Sequence, residues 1–297
     1  MKNLKFLPRI LVTIIIFFAA DFLIFNMFSL GISKYFGFNK KSDIICIGHS
    51  HTVLGIDAAL LEQELNKTAS KYALAGANAM DRYWMVKHYL EINPDVKIVL
   101  YDVDNRLFDS EGLSSASYSL FLPFIDNQMM KIYLKEQASY EEYLVSTFIK
   151  TARFRDQTLN ISLRGLLNKN ESKKLTQVNI DNYKTYLESE RSKKVNIDDD
   201  SVDYLKKTIE YVLAKGKKIV LVNIPVIDIL NEIDEENQIK AHMIFQEMAL
   251  TKDVFFFDYE NDYADKHEIF FDLRHLNEKG KQLLTLRLAK DLKNINE

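Results

Sequence analysis

Two short stretches of this 297-residue chain hold residue types that can transfer an acyl group. The first is Gly48-His49-Ser50-His51-Thr52, which follows an apolar run and precedes a helical pattern. A serine at such a junction lies at the carboxyl edge of a sheet, where nearby backbone N–H groups can stabilise an oxyanion. Its hydroxyl is a weak nucleophile until a base removes the proton. His49 and His51 are close in sequence, but immediate neighbours seldom have the geometry to act as that base. The second stretch, residues 270–277, contains Asp272 and His275. An aspartate three residues before a histidine can accept from one ring nitrogen while the other faces the serine, the base and orienter of a triad. A lone Asp-x-x-His is a weak motif, and its value here comes from its place just before the last helical pattern. Each group also has a structural reading. Ser50 and Thr52 could cap the following helix, and Asp272 and His275 could fix a loop.

The elements that would position these residues alternate between strand and helix. Apolar runs at 43–48, 72–75, 97–104, 218–225 and 254–257 have strand length and lack the polar alternation of a half-exposed sheet. Helical patterns cover about 56–66, 80–91, 201–213, 235–250 and 277–292, with Gly216 placed to end the third. This order predicts an α/β fold, a doubly wound parallel sheet of five strands between two helical layers. The alternation stops between about 107 and 200, where Tyr, Lys, Ser and Asn abound and one helix is evident near 140–154. That stretch reads as a mostly helical insertion on the loop side of the sheet, serving as a lid, a substrate platform or a structural excursion.

At the N-terminus, residues 10–32 are overwhelmingly apolar and long enough for a helix to cross a bilayer. Lys2, Lys5 and Arg9 precede the run, and no small-residue cleavage site follows it. The expected organisation is therefore a cytoplasmic tail and transmembrane anchor at 1–36, followed by an extracytoplasmic domain at 37–297. Asp21 stands within the span at a cost of about 2.5–3.5 kcal/mol on insertion scales, so it should meet a partner, such as another membrane protein, or become protonated. The net charge of −3 gives no basic surface for nucleic acid. The single cysteine, Cys46, excludes an intrachain disulfide and reads as a small buried hydrophobe. No dinucleotide or phosphate-binding glycine loop follows any strand. The scattered histidines His88, His242 and His267 form no ligand cluster, so neither metal nor cofactor is expected.

The order of a Gly-x-Ser-like motif, a glycine after the second strand, an asparagine after the third and Asp-x-x-His before the last helix resembles the SGNH/GDSL hydrolases. The resemblance covers about 43–109 and 217–292 and implies the flavodoxin-like strand order 2-1-3-4-5. It assigns Ser50 as nucleophile, His275 as base and Asp272 as its orienter. It also implies an oxyanion hole of the Ser50 N–H, the Gly76 N–H and the Asn105 side chain. The chain departs from the family where His49 replaces the usual Asp before the serine. It departs again where Val103-Asp104-Asn105-Arg106 replaces the usual third block, which makes Asn78 a competing donor. Arg106, Arg274 and His51 are candidates for substrate contact. The N-terminal anchor and weakened blocks look like the divergent membrane-anchored branch that includes teichoic-acid D-alanyl-transfer and alginate-type O-acetyltransferase proteins. That resemblance implies a serine esterase or O-acyltransferase of the bacterial cell membrane, acting on an acylated envelope glycan or a small ester. It also implies a membrane-bound acyltransferase as partner, with Asp21 as the contact. The competing reading is a non-catalytic anchored scaffold of a polymer-modifying complex.

Overall fold

The apolar runs of the sequence form five parallel strands in the order 2-1-3-4-5, as the computed structural model of the chain shows. Residues 6–108, 117–169, 173–190 and 197–295 are described. Lys2 and Lys5 of the expected tail, and 109–116, 170–172 and 191–196 of the expected insertion, lie outside them.

The chain begins with α1 (Phe6–Phe36), followed by β1 (Ile44–Gly48), α2 (Ser50–Gly55), α3 (Ala58–Leu65) and β2 (Ala69–Ala73). Next come α4 (Ala79–Ile92) and β3 (Ile98–Val103). Among the described residues four α-helices intervene: α5 (Gln128–Gln137), α6 (Tyr140–Phe148), α7 (Asp156–Leu166) and α8 (Lys184–Glu190). The alternation then resumes with α9 (Asp199–Ala214), β4 (Lys218–Asn223), α10 (Asp228–Ile233) and α11 (Glu235–Met248). It ends with β5 (Val254–Asp258), α12 (Glu260–Tyr263) and α13 (Glu278–Asn294).

These elements divide into two compact units. The larger holds the sheet. Every residue of β1 and β3 is buried, which explains their unbroken apolar runs. Ile44, Cys46, Leu100, Val220 and Val222 face one continuous core with Leu61 of α3 and Leu284, Leu288 and Leu292 of α13. The other face is covered by α4, α9 and α11, where Phe245 stacks against Phe108 and Phe256. Helix starts are fixed by side-chain caps: Asp57 for α3, Asn78 for α4, Asp198 for α9 and Asn277 for α13.

Two differences from the sequence reading stand out in this unit, and one candidate residue has a capping role. The second strand is Ala69–Ala73 rather than 72–75, because Ser70 and Lys71 take strand positions that their polarity disguised. A short helix, α2, starts at Ser50 itself, ahead of the expected helix. Asn78, the competing oxyanion donor, caps α4: its Oδ1 accepts from Asp81 N at 2.9 Å, and Asp81 Oδ2 accepts from Asn78 N at 3.0 Å. That capping box occupies its carbonyl in holding a helix.

The smaller unit contains α1 as far as Tyr35 and residues 118–169 with α5, α6 and α7. The insertion is thus richer in helix than one pattern at 140–154 suggested, and α6 ends at Phe148 before a 3-10 turn at Lys150–Arg153. Described residues of α1 include one segment, Pro8–Phe36, long and apolar enough to cross a membrane. Asp21 is buried and met by its own chain, accepting from Lys150 N and Thr151 N at 2.8 Å each and from Thr151 Oγ1 at 2.5 Å. Three donors of the insertion therefore meet the Asp21 carboxylate within its own chain.

Candidate active site

In a parallel sheet all carboxyl ends share one edge, so the segments after β1, β2 and β3 converge there. β1 ends at Gly48, where an added Cβ would meet Thr52 Oγ1 at 2.0 Å and Asp102 Cβ at 2.6 Å. Only glycine lets the chain turn so closely past β3 and start α2 at Ser50. The segment after β2 is tied to the same edge through Leu74 N, which donates to Gly48 O at 3.1 Å. Gly76 follows with φ of +86°, a conformation that favours glycine. The fully buried Arg82 secures this loop, donating from Nε to Ala77 O at 3.1 Å and from Nη1 to Asp102 O at 2.6 Å.

The loop before α13 brings the remaining groups. His275 Nε2 lies 2.9 Å from Ser50 Oγ, across 225 positions of sequence. His275 Nδ1 lies 2.9 Å from both carboxylate oxygens of Asp272. Asp272 Oδ1 also accepts from the backbone N–H of Arg274 and His275, each at 2.8 Å, which locks the loop around the carboxylate. Burial works against the Asp272 charge, but His275 and these N–H donors hold its pKa below the usual value. The ring nitrogen facing Asp272 is then the protonated one, leaving Nε2 to accept from the serine hydroxyl. Three residues paired only by motif in the sequence therefore form one hydrogen-bonded chain, with His275 and Asp272 part-exposed to solvent.

Beneath this chain lies a buried cluster that the sequence reading left out. His49 Nδ1 is 2.9 Å from Asp102 Oδ2, and His49 Nε2 is 3.2 Å from Asp104 Oδ2. The His51 N–H also approaches His49 Nδ1, at 3.2 Å, as it would for a neutral ring. The shorter carboxylate contact and the second carboxylate at Nε2 favour the imidazolium, which donates from both nitrogens. Burial alone would depress His49, yet Asp102 and Asp104 raise its pKa. Asp102 is likewise opposed by burial and held down to about 2 by His49. Asp104 is lowered for the same reason. Asp102 Oδ2 accepts from Thr52 Oγ1 at 2.9 Å, so the cluster pins both sides of Ser50. One atom each from His49, His51 and Asp102 fits within 4.8 Å, the spacing of a metal site. His49 faces a carboxylate at each ring nitrogen, while Asp102 Oδ1, Asp104 Oδ1 and His51 Nδ1 are buried without a hydrogen-bond partner. The signal for this cluster was in the sequence. Asp102 and Asp104 lie two apart at the end of a strand read as buried, and two buried carboxylates require a cation.

The other candidates separate by position. His51 is buried, packs edge-on against the His275 ring at 5.3 Å and leaves Nδ1 without a hydrogen bond. Burial first, and then the charge on His49, push its pKa down to about 3, so it is a neutral wall beside the base rather than a second base. His51, Asn105, Arg106 and Arg274 line one pocket with Val226 and Leu230. Arg274 also donates to the Tyr186 hydroxyl at 3.0 Å.

No protein-family model matches this sequence, and no curated protein matches it either. Solved structures do match in the course of the chain. A lipase, Lip_vut3, from a goat rumen metagenome is 11% identical, covering 83% of this chain and 96% of that one with a TM-score of 0.43. The native aryl esterase of M. smegmatis is 11% identical, covering 84% of this chain and 98% of that one with a TM-score of 0.44. Likeness at this level does not speak for activity, which rests on the side chains themselves.

Proposed function

We propose that this chain is a membrane-anchored serine esterase or O-acyltransferase that works through an acyl-Ser50 intermediate. The carrying observation is the unbroken chain from Ser50 Oγ to His275 Nε2 and from His275 Nδ1 to Asp272, with each link at 2.9 Å. Ser50 Oγ attacks the acyl carbonyl while its proton passes to His275 Nε2. The tetrahedral oxyanion is held by the N–H groups of Ser50 and Gly76 and by the Asn105 side chain. The Ser50 N–H suits this role because the first N–H groups of a helix have no intrahelical partner. Collapse expels the alcohol, which takes the proton back from His275 and leaves the acyl-serine. Water completes an esterase cycle and a sugar hydroxyl completes a transfer, with the same covalent step in both. Arg106 and Arg274 share the pocket with Asp104 and Asp234, so its lining balances positive and negative charge around the apolar Val226 and Leu230.

α1 supplies the anchor, with residues 10–32 in the bilayer of a bacterial-type cell, the N-terminus inside and the sheet unit outside. An acylated envelope glycan is the substrate class that the sequence resemblance suggests, with a membrane-bound acyltransferase as acyl supplier when the reaction is a transfer.

The test is turnover of p-nitrophenyl acetate by the full chain in detergent. Ser50→Ala and His275→Ala should each lower kcat by about 10³-fold or more. Unchanged turnover in either variant would remove that residue from the mechanism.

A further inference from the structure

The way α1 is covered points to a second lipid-facing element. From Phe6 to Ala20 every described side chain of α1 with an assigned surface is exposed, and Asp21 is the first buried position. Those 15 positions span about 22 Å at 1.5 Å per residue. A hydrocarbon layer is about 30 Å thick, so roughly five further residues, 21–25, must lie inside it. Starting the layer later, beyond Arg9, carries its edge further along α1 still. Exposed apolar side chains do continue, through Phe22, Leu23, Ile24, Met27 and Leu30. The edge of the layer therefore falls beyond Asp21, and whatever packs against Asp21 lies within the layer.

What packs there is the 3-10 turn after α6. Non-helical backbone is tolerated at such depth only when its polar groups are satisfied by protein. Here the Asp21 carboxylate accepts from the N–H groups of Lys150 and Thr151 and from the Thr151 hydroxyl. The charges beside it are neutralised within the same unit. Arg153, 1% exposed, donates from Nη1 to Asp126 Oδ2 at 2.7 Å and from Nε to Ser146 O at 2.7 Å. The Lys150 ammonium lies 4.9 Å from the Phe25 ring and 3.5 Å from Asp126. The segment delivering this turn carries Val145 and Phe148 outward, at 49% and 68% exposure. Large apolar groups so exposed, two to five residues before a turn that is bonded to Asp21 of α1, fit a lipid environment.

We propose that the C-terminal end of α6, at Val145 and Phe148, and the turn at Lys150–Arg153 are embedded beside α1, in the leaflet nearer the C-terminal end of α1. Phe148 and Val145 face acyl chains there, and Asp21 is the polar pin that lets the turn enter. This placement rests on the reading of α1 as a membrane anchor. Asp21 then has a structural purpose, which is to fix a non-spanning element of the same chain in the bilayer.

The test uses the full chain reconstituted in phosphatidylcholine–phosphatidylglycerol vesicles, with an environment-sensitive fluorophore on single introduced cysteines. Phe148→Cys reports the proposed element, Phe22→Cys the anchor and Leu250→Cys, at 86% exposure, a surface of the sheet unit. Cys46 stays unlabelled because it is buried and its thiol is pushed up to about 12. Doxyl-labelled lipid should quench Phe148→Cys as strongly as Phe22→Cys and leave Leu250→Cys bright. Quenching at Phe22→Cys alone would overturn the embedding and keep the anchor. Absence of quenching at both positions would overturn the two together.

Discussion

His51 carries the clearest titration consequence at the scale of single residues. It is buried neutral with its pKa down to about 3. An unfolded histidine takes up its proton near ~6.5. The folded protein therefore excludes one proton on acidification from there towards pH 3, and His51 lowers stability by ~1.4 kcal/mol per pH unit across that window. Asp102, held down to about 2, contributes stability above the ordinary carboxylate value and loses it as pH falls further. His49, raised by its two carboxylates, contributes fully below the ordinary histidine value and loses that contribution as pH rises through its own. Their sum places greatest stability near neutrality. In urea unfolding at pH 4.5 and 6.5, His51→Phe should show a smaller loss on acidification than the parent, by the slope just given. An unchanged slope would mean that folded His51 already carries the proton. Asn105 and Asn78 divide on activity. Asn105→Ala should cut kcat by about 10²–10³-fold, as loss of an oxyanion donor does. Asn78→Ala should cost about 1 kcal/mol of stability as a lost cap and leave kcat nearly unchanged. The reverse pattern in steady-state kinetics would reassign the oxyanion donor.

At the scale of elements, the sheet was legible because burial on both faces writes an unbroken apolar run. Ile44-Ile45-Cys46-Ile47 and Ile98-Val99-Leu100-Tyr101 declare themselves in that way. β2 was placed late because Lys71 can run its stem along the sheet and donate from Nζ to Val53 O and Ile56 O, at 3.0 Å each. Ser50, Asp272 and His275 were legible because parallel strands deliver their following loops to one edge, so chain order alone brought them together. The His49–Asp102–Asp104 cluster was only half legible: the strand marked both carboxylates as buried, but their cation, His49, follows β1 and meets them only once β1 and β3 lie side by side. The insertion was least legible, since its apolar residues divide between α1, which Phe154 meets through Phe25 and Phe28, and the sheet core, which Val178 joins, and periodicity alone names no partner. Asp21 links these elements, and its removal has a local readout. Asp21→Ala takes a charged acceptor from two backbone N–H groups, worth about 1.5–3 kcal/mol each, so hydrogen exchange at Lys150 and Thr151 should quicken by roughly 10- to 100-fold. Unaltered protection at these two amides would show that Asp21 does not hold the turn.

For the whole molecule, two compact units divide the work. The sheet unit carries every residue proposed for chemistry, and the smaller unit carries the apolar helix and the segment that packs on Asp21. The central claim is that Ser50 becomes covalently acylated. Its most direct test is labelling of the full chain with a fluorophosphonate, followed by mass spectrometry of the modified peptide. One phosphonate per chain on Ser50 is expected, abolished in Ser50→Ala and strongly slowed in His275→Ala. Labelling at another residue, or labelling that persists in Ser50→Ala, would contradict the acyl-serine mechanism.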